Sequence, residues 1–385
     1  MTSAVVVGAG VLGACVSRHL ARAGVRVVVV ERARPASGTS GATFSADVTH
    51  LKTPYAYYRL NRQGSEEHRL LSEALGGPAW RHPAPLLQWA DGDDAHRALR
   101  ERALRARGWG HECRLAPPSV LSELAPAVDP AACGADEVVV HENTAWFDAP
   151  RFVHALLDDA VRHGAETHYG VAVTGLTRAD GRITGVVAGA RSWSADVVVN
   201  CAGPAADRIA GFAGVRLPLR QVPGLVTETD PLPGEPLTAI VAAPDIDLRP
   251  TPGGGVLALS WEVDARLDGA ARGLPQELHR RAEAVVPGLA RARIEDARIG
   301  VRPVPSDGLP LVGVAAGAPG LYHLVSHSAV TLAPVLGRLA AQEIATGRPV
   351  ADLAAYRPDR TVPSDVQDEN LRAMNHWRPR PQSAP

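Results

Sequence analysis

Short β-branched runs and amphipathic stretches alternate near the start of the chain. Residues 4–7 form an unbroken apolar run of strand length, which predicts a strand buried on both faces. A helical stretch follows over about 12–23, with Leu12, Val16 and Leu20 on one face and Gly24 stopping it. Residues 25–30 predict a second buried strand ending at Glu31. Together these make a right-handed βαβ unit.

Further along, residues 36–45 read as a Gly/Ser/Thr loop. Thr53 as N-cap, with Pro54 at the first helical position, predicts a helix to about Leu75. Residues 76–140 are Pro-punctuated and mixed, and the Arg-rich piece 97–107 is expected as a solvated helix face. Pro150 opens an amphipathic helix to about His163, and strands are expected over 170–176, 182–188 and 195–200. From 217 to 299, strands and turns with a helix near 276–286 predict an antiparallel sheet with helices. The segment 300–313, a strand over 320–325 and a long helix over about 331–346 follow. The polar, Pro-rich end is expected as a loosely held tail. No internal repeat is visible.

The junction of the first strand and helix carries Gly8-Ala-Gly10-Val-Leu-Gly13. Gly8 makes the tight turn, Gly10 lets the backbone approach a pyrophosphate, and Gly13 lets helix and strand pack closely. The pyrophosphate then lies on the helix N-terminus, where N–H groups and the dipole favour anions. Glu31, at the end of the second strand, is placed to accept the ribose hydroxyls. An acid there disfavours a 2′-phosphate, so NADP is not expected despite Arg32 and Arg34. This motif alone leaves NAD and FAD open.

Composition narrows the partners. In 385 residues, 45% are apolar and 21% charged, and the net charge is -1, so nothing argues for nucleic acid or an anionic membrane. Of the 40 basic residues only Lys52 is a lysine, which makes any one arginine weak evidence and that lysine worth placing. Four cysteines show no CxxC and no metal-like spacing with histidine, so free thiols and no metal are expected. No basic n-region or membrane-length apolar run is present, and a cytoplasmic protein is expected.

The early fingerprint is followed in order by further pieces. These are Gly38-Thr-Ser-Gly41, Asn200-Cys-Ala-Gly203, Gly300-Val-Arg-Pro303 with Asp307-Gly-Leu-Pro310-Leu-Val-Gly313, and His327-Ser-Ala-Val-Thr-Leu-Ala-Pro334. The set resembles the FAD-dependent amine and amino-acid oxidase superfamily that contains D-amino-acid oxidase, glycine oxidase and monomeric sarcosine oxidase, most of all its glycine-oxidase-like branch. The resemblance implies an α/β fold: a Rossmann-like FAD lobe with a central parallel sheet, discontinuous in sequence, and an α+β substrate lobe with an antiparallel sheet. On it, 1–50, 141–215 and 300–350 form the FAD lobe, 51–140 and 216–299 the substrate lobe, and 351–385 the tail.

Carried over residue by residue, the resemblance assigns Gly8, Gly10, Val11, Leu12, Gly13, Glu31 and Arg32 to the ADP half of FAD. Thr39, Ser40 and Ala42 match the loop running toward the flavin, Val173 the backbone contact to adenine, and Ala202 and Gly203 a second backbone contact. Ser328, Ala329, Val330 and Thr331 match the turn whose helix points at the flavin pyrimidine edge, where an N-terminus stabilises negative charge. Pro334 is expected in the first turn of that helix, where its missing N–H costs nothing. Arg302 matches the arginine that forks onto a substrate carboxylate; an arginine tied to a local carboxylate is the competing reading. Lys52 and His50 follow the flavin-proximal loop, and a fixed cation there promotes oxygen reduction. Asp247 falls where glycine oxidase has a pocket aromatic, and an acid there suits an amine or polyol.

Two departures matter. No cysteine lies near the Arg302 segment, so FAD is expected to be non-covalent. Ala329 stands where related sequences often have glycine, which leaves pocket shape open. The expected activity is oxidation of the C–N bond of an amino acid or secondary amine, with hydride passing to flavin and O2 reduced to H2O2. A same-fold FAD dehydrogenase of a hydroxy acid or amine, an NAD-dependent Rossmann dehydrogenase and a non-catalytic flavin-binding protein stay open beside it.

Overall fold

The computed structural model describes residues 2–77, 80–232, 234–267 and 272–361. Strand β1 (Ser3–Val7), helix α1 (Val11–Arg22) and strand β2 (Arg26–Val30) form the expected βαβ unit, with β1 buried along its whole length. They belong to a six-stranded sheet. Across it run Leu311–Val314, Leu321–Val325, Val197–Asn200, β1, β2 and Glu166–His168, parallel except for the first. Helices α1, Ala149–Arg162 and Ala329–Thr346 share one hydrophobic core on one face. The three-stranded sheet built from Gly175–Ala179, Arg182–Ala188 and Arg191–Ser194 contributes Ile183 and Val186 to the core on the other face.

The second sheet has eight strands, Ile294–Pro305, Leu219–Thr229, Val256–Leu259, Ile246–Pro250, Ile240–Ala243, Leu86–Gln88, Val138–His141 and Cys113–Ala116. All neighbours pair antiparallel except Ile240–Ala243 with Leu86–Gln88. Its own apolar core includes Leu225, Val241, Leu248 and Leu278. The fold is thus mixed α/β, a mainly parallel sheet beside a separate antiparallel one. Among the described residues no helix is long and apolar enough to cross a membrane.

Several expectations need correction. Helix α2 runs Tyr55–Ala74 with Pro54, not Thr53, at the N-cap position: the Pro54 carbonyl accepts from Tyr57 and Tyr58 N–H, and the Thr53 hydroxyl makes no cap. It packs on helix Ala329–Thr346, with Tyr57, Leu60 and Leu71 in the same core as Leu332 and Leu336. Residues 170–174 are not a strand: Gly170 and Val171 donate only to the Ala33 and Glu31 carbonyls, and the segment crosses the end of β2. Residues 300–305 continue the large sheet as the end of Ile294–Pro305. The helix expected from 331 starts at Ala329, which puts Pro334 beyond the first turn. Residues 351–361 are docked: Leu353 and Tyr356 are buried and Arg360 forks onto Asp307 at 2.8 Å. The expected tail beyond 361 lies outside the described residues.

Candidate active site

The first-strand turn folds as its glycines require. Gly8 has φ +107°, and a Cβ on it would sit 2.5 Å from the Cys201 carbonyl oxygen. A Cβ on Gly13 would sit 1.9 Å from the Gly8 oxygen, so helix and turn meet there with no room for a side chain. Gly10 is the N-cap of α1 and provides no side-chain cap of its own. Ser40 Oγ accepts from Val11 N–H at 3.2 Å and brings the Gly38–Gly41 loop over this end.

These residues line a cavity of about 490 Å³ with Gly8, Gly10, Val11, Leu12, Glu31, Arg32, Thr39, Ser40, Ala202 and Gly203 in its wall. Glu31 is held by N–H donors from Ala9 and Ala33, both at 2.9 Å, so its carboxylate is fixed at the end of β2. Val173 lines a smaller recess beside it, together with Val30, Glu31 and Ala202. Gly13 is not in the wall; it acts behind it, through packing.

A second cavity of about 150 Å³ adjoins the first, and the two share Thr39, Thr43, His327, Ala329 and Val330. Ala42, Lys52, Asp247, Arg302, Ser328 and Thr331 line this second space. The loop that separates the cavities is anchored on the large sheet. Thr39 Oγ1 donates to the Val301 carbonyl at 2.5 Å, and a Cβ on Gly300 would lie 2.4 Å from the Ala42 oxygen.

Lys52 is buried, and its Nζ donates to Ser328 Oγ at 2.7 Å. Burial lowers its pKa to about 8, with the Asp47 carboxylate opposing that shift. His327 is held well below its ordinary pKa by burial and by the charges of Lys52 and Arg302, and so lines both cavities as a neutral ring. Asp247 is buried in the wall formed by Ile246–Pro250.

Arg302 reaches the second cavity already paired. Its Nη2 donates to Asp264 Oδ2 at 2.7 Å, its Nη1 to the Pro223 carbonyl at 3.2 Å, and its guanidinium lies 4.4 Å from the Trp261 ring centroid. Gly224 makes space for it, since a Cβ there would fall within 2.6 Å of three guanidinium atoms. Asp264 also accepts from Leu225 N–H at 2.7 Å. Burial raises the Asp264 carboxyl pKa, with Arg302 pulling it back. The arginine therefore has a local carboxylate as well as a face on the cavity.

His50 is elsewhere. It lines neither cavity, and its ring stacks on His141 at 4.0 Å between centroids. His50 sits in the turn Thr49–Leu51, and Lys52 is the residue just after that turn; of the two, only Lys52 lines the second cavity. Asp264, Trp261 and His327 were not among the expected site residues. Only His327 carried a local signal, as the first residue of its motif; Asp264 is a partner that only the folded sheet reveals.

The model of the DAO family, FAD dependent oxidoreductase, matches residues 3–343. The chain belongs to this family. Glycine oxidase from Pseudomonas aeruginosa is 28% identical over 369 residues, covering 92% of this chain and 98% of that one. The solved glycine oxidase from Geobacillus kaustophilus superposes with a TM-score of 0.83 at 22% identity, covering 94% of this chain and 100% of that one. L-proline dehydrogenase from P. horikoshii superposes with a TM-score of 0.80 at 19% identity, covering 93% and 96%. The family is FAD-dependent, which removes the NAD-dependent alternative. The α1 N-terminus in the cavity wall, the glycine turn with no room for Cβ atoms and the fixed Glu31 carboxylate suit the ADP half of FAD. The shared wall at Ala329 and Val330 leads from there to the second cavity.

Proposed function

We propose that the protein oxidises the C–N bond of an amino acid or secondary amine, with dioxygen as terminal acceptor. The observation that carries this reading is the second cavity, where Arg302, Lys52 and Asp247 surround one small space against the flavin groove. Arg302 has N–H donors beyond the one used by Asp264, and these orient a substrate carboxylate. Asp247, in the same wall, offers a carboxylate to the amine nitrogen. Apolar neighbours Ile240, Leu259 and Trp261 exclude water around the reacting carbon. Bound FAD supplies the two-electron acceptor for the substrate C–H bond.

The substrate loses a hydride and a proton and leaves as an imine, which water hydrolyses. Dioxygen takes two electrons and two protons and leaves as hydrogen peroxide. Lys52, held at Ser328, stabilises the negative charge that builds on dioxygen. The naming of glycine oxidase among the relatives supports an amino-acid substrate.

The test is an absorbance spectrum of purified protein followed by anaerobic titration with amines, amino acids and hydroxy acids, then air. Bleaching by an amine or amino acid and peroxide on aeration are expected. Bleaching without peroxide would make the protein a dehydrogenase, and bleaching only by hydroxy acids, or by nothing, would overturn the C–N assignment.

A further inference from the structure

His50 has a place in the fold that the flavin site does not use. It comes from the turn Thr49–Leu51, His141 ends the strand Val138–His141, and His111 lies in the loop after helix Asp93–Gly108. Three distant segments thus deliver three imidazoles to one point. One nitrogen from each lies within 4.8 Å of the others, the one such group of His, Cys, Asp or Glu among the described residues. The His111 Nε2 and His141 Nδ1 atoms are 3.0 Å apart, and the centroid separations are 4.0, 5.1 and 5.7 Å. His141 Nε2 is buried with no hydrogen-bond partner among the described residues.

We propose that His50, His111 and His141 bind one divalent first-row transition-metal cation, of which zinc is the reference. Zinc–imidazole bonds of about 2.0–2.1 Å place tetrahedral donors roughly 3.4 Å apart, so the triad needs only small ring rotations to close on an ion. Imidazole is the donor that zinc, nickel and copper accept, and three such donors leave a fourth position for water. Burial lowers the pKa of all three rings. His50 and His141 are buried while His111 is half-exposed, which gives the ion a way in.

The charges facing the triad are mixed. The Asp47 carboxylate acts on His111, and Glu112 and Arg62 act on it from the surface. Arg102 and Lys52 act on His50. Asp47 is itself fixed by Thr49 N–H and Thr49 Oγ1, at 3.0 and 2.6 Å, and by Ser65. A bound ion ties the turn before Lys52 to the edge of the large sheet. It does so whatever the oxidised substrate proves to be.

The experiment uses the FAD-loaded protein, dialysed against chelator and titrated with zinc chloride by calorimetry, with cobalt(II) absorption as a second readout of coordination. One zinc per chain and tetrahedral cobalt bands are expected. His111→Ala, at the half-exposed position, is expected to keep its flavin spectrum and lose more than about tenfold in zinc affinity. Arg102→Gln, which removes a cation facing His50, is expected to bind zinc more tightly. Failure of both the wild type and Arg102→Gln to bind zinc saturably would overturn the proposal, as would equal affinity in wild type and His111→Ala.

Discussion

The ring of His68 donates its Nε2 hydrogen to the Val330 carbonyl at 2.8 Å, replacing a helical bond that cannot form. Pro334 lies four residues beyond Val330 inside helix Ala329–Thr346 and has no N–H to give that carbonyl. The imidazole is stacked on Phe147 at 4.2 Å and has Phe152 at 4.5 Å. Helix α2 therefore supports the turn that closes both cavities, and the cost of a proline inside the helix is offset from outside it.

This contact predicts an acid sensitivity. Burial lowers the His68 pKa to about 3, against the ordinary value of 6.5. Between those values the unfolded chain holds the proton that the folded chain refuses. Stability therefore falls as pH drops from 6.5 toward 3, by up to about 1.4 kcal/mol per pH unit from this site. His68→Gln keeps an N–H donor and does not titrate. Denaturant midpoints measured across that range should fall less steeply in the variant; parallel profiles would show that folding leaves the His68 pKa unshifted.

Gly64, one turn before His68, makes the same helix pair possible. A Cβ there would lie 2.2 Å from the Thr331 carbonyl oxygen, and backbone cannot swing aside as a side chain can. Gly64→Ala should cost about 1–3 kcal/mol and displace the turn at Ser328–Thr331. Thermal unfolding followed by flavin fluorescence should show earlier FAD release. A variant with wild-type melting and FAD retention would mean that the helices separate freely.

Local spacing explains what could be read from the chain. The turn Gly8–Gly13 and Glu31 form one short βαβ unit, so neighbours in sequence are neighbours in the site. Val173 lies in a recess beside Glu31 within residues 170–174, which are not a strand, because the single bonds from Gly170 and Val171 to the Ala33 and Glu31 carbonyls are invisible in an apolar run. Asp264 reaches Arg302 from 38 residues away across the sheet, and His68 reaches Val330 across 262. The three histidines have no common spacing at all. Such pairings depend on topology, which residue pattern does not encode locally. Lys52 stood out only because the chain contains one lysine, and its burial beside Ser328 gives that oddity a place.

Arg302 both pairs with Asp264 and lines the second cavity, so two effects of mutation must be separated. Removing it with Arg302→Ala leaves the Asp264 carboxylate buried without its partner, a loss of about 3–5 kcal/mol in stability that would obscure any kinetic change. Arg302→Lys keeps a cation for Asp264 but loses the planar fork. A lost charge-assisted contact of about 1.5–3 kcal/mol should raise KM for carboxylate substrates roughly tenfold to hundredfold, with a smaller change in kcat. Steady-state kinetics on an amino acid and on its decarboxylated amine check this. An equal rise for both would assign the guanidinium a packing role only.

The burial of Lys52 beside Ser328 gives a test of the proposed oxygen chemistry. Its ammonium is buried, it is fixed on Ser328 at 2.7 Å, and it lies 5.9 Å from the Tyr57 ring. Lys52→Met removes the charge while nearly preserving the volume, so the cavity keeps its shape. If the cation stabilises charge on dioxygen, the second-order rate of reoxidation by air should fall about 10²–10³-fold, while anaerobic reduction by substrate changes far less. Stopped-flow measurement of each half-reaction gives the two rates independently. Equal losses in both would make Lys52 a substrate-positioning residue. An unchanged reoxidation rate would leave its charge without a part in oxygen chemistry.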